Sequence, residues 1–115
     1  FLNINGGSTT GCPRFRMEFS TNGGSSWSFV TPVGDVDGNR TQSHCSLNIN
    51  GDANPMNSAS AEVLFAPATT STIIFRILMG ADQPNYMMWN GSRNNSNDFL
   101  GQTTTSTYRV MEIAG

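Results

Sequence analysis

Apolar and polar residues alternate with a period of two along most of this chain. In "RFRMEFS" (14–20), Phe15, Met17 and Phe19 alternate with Arg14, Arg16 and Glu18. That spacing predicts a strand with one face buried. "WSFVT" follows, with Trp27 and Phe29 on one face. "RTQSHCSLNIN" (40–50) reads as a longer polar strand, with Cys45, Leu47 and Ile49 at alternate positions. "SAEVLFA" (60–66) is another, stopped by Pro67. "STIIFRILMG" (71–80) is nearly continuously apolar around Arg76, which predicts a central strand covered on both sides. "NYMMWN" (85–90) is short. "STYRVMEIAG" (106–115) closes the chain, with Tyr108 and Val110 opposite Arg109, Met111 and Ile113.

Between these runs lie "NGGSTTG", "TNGGSS", "PVGDVDGN", "NGDANPMNS", "GADQPN" and "NGSRNNSND". Such clusters turn the chain. Gly and Asn accept positive φ, and Asn, Asp and Ser side chains bond the local backbone. No window carries a helical stripe. Seven or eight short strands separated by turns predict an all-β domain: a β-sandwich, jelly-roll or barrel. The length of 115 residues fits one domain spanning 1–115. The chain opens on Phe1, and "FLNIN" enters mid-strand, as expected for the C-terminal domain of a longer chain.

Charge changes the picture. Only 12% of residues are charged, against a usual share of about 25%. The polar surface must come from Ser, Thr, Asn and Gly. All six basic residues are arginines. Such a surface fits an extracellular or virion protein, or a subunit that hides much of itself in an oligomer. The net charge is -2 and no basic run exists, so a nucleic-acid partner is not expected. No stretch approaches ~18 apolar residues, so no membrane span is expected. Cys12 and Cys45 allow one disulfide at most, and the spacing leaves their pairing open, with two unpaired thiols the simpler reading. No metal or cofactor is expected.

Several motifs invite chemistry. "STNGGSSW" (20–27) resembles the Asp-box hairpin of sialidases, with Asn22 in place of Asp. It occurs once, without the arginine cluster, tyrosine nucleophile and acid that such an enzyme needs. Asn22-Gly23 or Gly23-Gly24 supplies the turn a hairpin requires, so the hairpin reading is favoured. "DVDGN" (35–39) begins like a calcium loop, but no acidic residue closes it, and Asp37-Gly38 is a good turn. His44 neighbours Cys45, and on a strand the two would face opposite ways. A surface or hydrogen-bonded histidine is the expectation. Glu62 and Glu112 sit singly on strands as edge or interface charges. No catalytic constellation is visible, and no enzyme is expected. The sequons at Asn39, Asn90 and Asn94 matter only in a secreted eukaryotic protein. The loop "MMWNGSRNNSNDF" is denser in donors and acceptors. Asn90, Arg93, Asn94, Asn95, Asn97 and Asp98, with Trp89 or Tyr86 as an aromatic platform, form a candidate receptor-binding set suited to carbohydrate hydroxyls, the alternative being a long solvated loop between the last two strands.

The C-terminal third carries a further likeness. "IIFRILMG…NYMMWNGS…STYRVMEIAG" resembles the ending of tailed-bacteriophage virion proteins of the tail-fibre, collar and head-decoration type. The features are the terminal strand with Ser106, Val110, Met111, Glu112, Ile113 and Ala114, the apolar strand Thr72 to Met79, the turn Trp89 to Ser92, and the strand Gly38 to Cys45. The resemblance implies an antiparallel β-sandwich of the jelly-roll type, like tumour necrosis factor or complement C1q, assembled as a homotrimer among other virion proteins. It implies a non-enzymatic fibre or fibre-tip domain contacting host-surface glycan. A capsid decoration protein of the same fold is the alternative, and a small secreted glycan-active enzyme the third reading. Within that frame, Tyr86, Met88 and Tyr108 are candidates for the trimer interface.

Overall fold

A computed structural model describes residues 1–8, 13–31, 33–39, 42–47, 57–80, 87–91 and 104–113. Their regular elements are β1 (Leu2–Ser8), β2 (Arg14–Ser20), β3 (Ser28–Phe29), β4 (Cys45–Ser46), β5 (Asn57–Ala61), β6 (Ile74–Gly80), β7 (Met87–Trp89) and β8 (Thr107–Tyr108). No helix occurs among the described residues, and every strand pairing there is antiparallel. The fold is all-β, as the period-two pattern predicts.

Two sheets share one plan. In the first, β1 is central. One edge pairs with β5 and the other with β7 and β8, placed end to end. In the second, β2 is central. One edge pairs with β6 along its whole length, and the other with β3 and β4. Ile4 and Ala59 from the first sheet meet Phe15, Met17, Cys45, Ile77 and Met79 from the second, with Leu47 just beyond β4. Trp89 of β7 sets its ring edge-to-face against Phe15, with centroids 5.8 Å apart. The facing side chains therefore form one core. Burying Ile4, Phe15 or Leu47 stabilises the fold by about 1.5–3 kcal/mol each.

The expected long strand at 71–80 is present as β6, but its neighbours differ from the expectation. Among the described residues β6 pairs with β2 alone, and residues 75–79 are half-buried. Its alternate residues Ile74, Arg76 and Leu78 lie on the outer face of the sheet and Phe75, Ile77 and Met79 on the inner, so an apolar run need not be central. The expected strand at 60–66 begins earlier and its ladder ends at Ala61. Residues 62–66 continue the exposed–buried alternation without a ladder. Phe65 reaches Phe19 and Phe75, with ring centroids at 5.2 and 5.9 Å.

The "STNGGSSW" segment is the expected hairpin, turned by Gly23 (φ 69°) and Gly24 (φ 90°). Its side chains bond the turn internally. Ser20 Oγ accepts the Gly24 N–H at 2.9 Å and donates to Asn22 Oδ1, which also accepts the Ser26 N–H at 3.0 Å. Gly38 (φ 56°) makes the second expected turn.

His44 resolves how β2 changes partners along one edge. Val30 N–H donates to the Met17 carbonyl at 3.1 Å, as in a ladder continuing from β3. The return bond is replaced by the imidazole. Met17 N–H donates to Nδ1 at 3.1 Å, so the proton sits on Nε2, which donates to the Val30 carbonyl at 2.6 Å. The ring is a wedge between strand ends. It closes the β3 ladder and hands the edge to β4, where His44 N–H donates to the Phe15 carbonyl at 2.8 Å. Of the two expected readings, surface or hydrogen-bonded, the second holds, but His44 precedes β4 instead of lying in the expected long strand, which among the described residues is only Cys45–Ser46.

His44→Ala should lower stability by about 1–3 kcal/mol, because Met17 N–H and Val30 C=O both lose a partner. His44→Gln, with one acceptor and one donor, should recover part of that loss; urea unfolding of the three proteins measures it. Cys45 has a free thiol, and burial pushes its pKa above the ordinary 9.0. Its proton is held longer in the folded state than in the unfolded one. Its contribution to stability is therefore complete below pH 9.0 and falls as the pH rises through that value. In a Cys12→Ser background, thiol labelling should be slow in the native protein and fast in urea.

Candidate functional site

Three surfaces collect the residues able to act. The first is the outer face of the second sheet. Glu18 lies on it, and its residue is only 4% exposed although β2 presents it on the polar side of the strand. Two guanidiniums explain this. Arg16 Nη2 reaches Oε1 at 2.9 Å, and Arg76 holds Oε2 through Nε at 2.8 Å and Nη2 at 2.6 Å. Glu18 and Arg76 are direct cross-strand partners. Arg76 also lies over the Trp27 ring at 4.0 Å, and Arg16 over Phe29 at 4.6 Å. The row is thus aromatic, cation, carboxylate, cation, aromatic; the carboxylate is buried, while the Arg16 and Arg76 side chains stay 29% and 40% exposed. Sequence reasoning placed Arg16 and Glu18 on one face but missed their union with Arg76. The signal was the lone charge inside the apolar run of β6.

The second surface is the end of β7. Asn90 adopts φ 59°, a conformation Asn tolerates better than most residues. Its N–H donates to the Asn5 carbonyl at 3.0 Å, its carbonyl accepts from Thr104 N–H at 2.9 Å, and its Oδ1 accepts from Ser106 Oγ at 2.5 Å. Ser106 Oγ in turn accepts the Asn5 N–H at 3.0 Å, and Asn5 Nδ2 donates to the Thr105 carbonyl at 2.8 Å. Asn5, Asn90 and Ser106 thereby bind β1, the turn after β7 and the approach to β8 into one unit. Trp89 stands beside this unit, 39% exposed. Of the candidate receptor residues, Trp89 and Asn90 are therefore adjacent and anchored. Arg93, Asn94, Asn95, Asn97 and Asp98 lie outside the described residues.

The third surface is an apolar groove of about 260 Å³ at one end of the two sheets. Met17, Phe75 and Ile77 line it from the second sheet, and Phe65 from the segment after β5. Its rim is Phe1, Leu64, Tyr108, Val110, Met111 and Ile113, each between 50% and 79% exposed. Phe1 and Arg109 exchange bonds of 2.8 and 2.9 Å, which extends the β1–β8 pairing to the groove. Tyr108, a candidate interface residue, is thus on the rim. Met88 lies opposite Gly7 in the β1–β7 register, and Tyr86 is outside the described residues. Glu62 lines the same groove, and Glu112 is exposed nearby in sequence. Among the described residues, no group of three or more His, Cys, Asp or Glu is placed to hold a metal. No helix among them is long and apolar enough to cross a membrane.

No family model, no curated protein and no solved structure matches this chain.

Glu18→Gln should cost about 1–3 kcal/mol, since it keeps the shape but leaves two guanidiniums without their shared anion. In a double-mutant cycle with Arg76→Met, the coupling should reach about 1 kcal/mol. A coupling near zero would show that the row contributes no pairing energy.

Proposed function

We propose that this chain is a non-enzymatic structural protein of a tailed-bacteriophage virion, a fibre or fibre-tip domain that works as a homotrimer and contacts host-surface glycan. The two antiparallel sheets are then the halves of a jelly-roll sandwich of the tumour-necrosis-factor and C1q type. The apolar groove is the observation that carries this reading. A soluble monomer seldom leaves so many large apolar side chains together in water. A symmetric oligomer covers them with copies of the same surface. Val110, Met111 and Ile113 belong to "VMEIAG", the stretch behind the likeness to phage virion proteins, and they lie on the groove rim. Trp89, beside the Asn90 turn, leads into the polar loop that would meet the receptor.

The expected particle in solution contains three 12.4 kDa chains. Light scattering coupled to size exclusion measures it, and a stable monomer at micromolar concentration would overturn the proposal. Tyr108→Glu with Met111→Glu should convert the trimer to monomers while the strand signal in circular dichroism persists. Antibody labelling of intact virions locates the chain: tail signal supports the fibre reading, and signal over the shell replaces it with capsid decoration.

A further inference from the structure

The outer face of the second sheet holds a second feature, on the opposite side of that sheet from the core. Arg14, Arg16 and Glu18 lie on this face of β2, and the register sets Gly80, Leu78 and Arg76 against them on β6. Three guanidiniums thus share a face with one carboxylate, in a chain whose net charge is -2. Glu18 is already divided between Arg16 and Arg76. Arg14 makes no ion pair with any described residue. The face carries a surplus of positive charge at its Arg14 end.

A pocket of about 270 Å³ opens at that end. Arg14, Arg16, Gln42, Ser43, Leu78 and Gly80 line it. Each wall has a structural cause. Gly80 stands opposite Arg14, and a Cβ there would meet nothing within 4 Å, so the space beside the Arg14 stem is open. Gln42 is fixed by its Nε2 bond to the Gly34 carbonyl at 2.9 Å. Arg16 is held by Glu18 on one side and the Phe29 ring on the other, which orders its guanidinium before any ligand arrives. Leu78 supplies an apolar wall.

We propose that this pocket binds a carboxylate-bearing sugar residue, of the hexuronate kind, within an acidic glycan. The charge surplus selects an anion, and arginine matches a carboxylate with two parallel hydrogen bonds. The pocket is larger than a bare anion needs. Beyond the arginines, the Gln42 amide and the Ser43 hydroxyl supply polar groups and Leu78, Phe15 and Met79 an apolar wall, which suits the hydroxyls and C–H face of a pyranose ring. No described residue lines both this pocket and the groove. The site does not depend on the virion reading.

The test is a titration of the 15N-labelled full chain with tetragalacturonate, galactotetraose, acetate and inorganic phosphate. Tetragalacturonate should shift the amides of Arg14, Gln42, Ser43 and Leu78, and its binding should weaken as salt rises. Galactotetraose should leave them in place, and acetate and phosphate should bind at least about tenfold more weakly. Arg14→Gln should weaken tetragalacturonate at least about tenfold, and Gln42→Ala should weaken it less. Neither residue belongs to the Glu18 row, so both variants should retain the dispersed spectrum of the folded protein. The proposal is overturned by no shifts, by equal shifts with the neutral tetrasaccharide, by equal affinity for acetate or phosphate, or by binding that survives Arg14→Gln.

Discussion

The Glu18 carboxylate is the charge on which the second sheet depends. Its direct partner across the ladder is Arg76, and the pair is made at short range on a face where the Trp27 and Phe29 rings lie against the two guanidiniums. Strand register is a binary matter for such a face. A slip of one residue between β2 and β6 would set Arg76 opposite Met17 or Phe19 and put a guanidinium on the core face. The salt bridge therefore specifies more than it stabilises. With β2 and β6 locked, Phe15, Met17, Ile77 and Met79 all face Ile4, and the core can close. The same lock arrays the arginines of β2 along the outer surface.

Polar side chains do much of the joining that apolar packing does elsewhere. Among the described residues the fully buried apolar set is small, with Ile4, Phe15, Val30 and Leu47. The short strands leave backbone groups unpaired where ladders end, and buried N–H and C=O groups need partners. His44 supplies two at the junction of β3 and β4. Asn5, Asn90 and Ser106 supply them where β7 ends beside β1, and Ser20 with Asn22 does so in the hairpin. An Asn- and Ser-rich composition is what such a fold requires. It also explains how so few charges suffice on the surface.

The apolar side chains left outside the core are concentrated rather than scattered. Six of them rim one groove, and three come from the last described residues of the chain. Among the described residues, the stretch after β8 leaves Val110, Met111 and Ile113 exposed to water. Exposed apolar surface of this kind supports the proposed assembly independently of any likeness to other proteins.

The alternation in "RFRMEFS" determined β2 and its buried Phe15, and the Gly-Gly pair determined the hairpin. Both follow from local rules: the two-residue period of a strand and the positive φ that glycine accepts. Trp89 and Asn90 were legible as an unusual corner, because Asn before Gly favours a turn. The sequence could not say that β6 lies beside β2, that Arg76 reaches Glu18, or that His44 enters the ladder between Met17 and Val30. Those depend on residues 14 to 58 positions apart in the chain meeting in space. Local chemistry decides where a strand is and which way its side chains alternate. Only the tertiary structure decides what each face meets, because partners are chosen by the whole set of strands that must share one core.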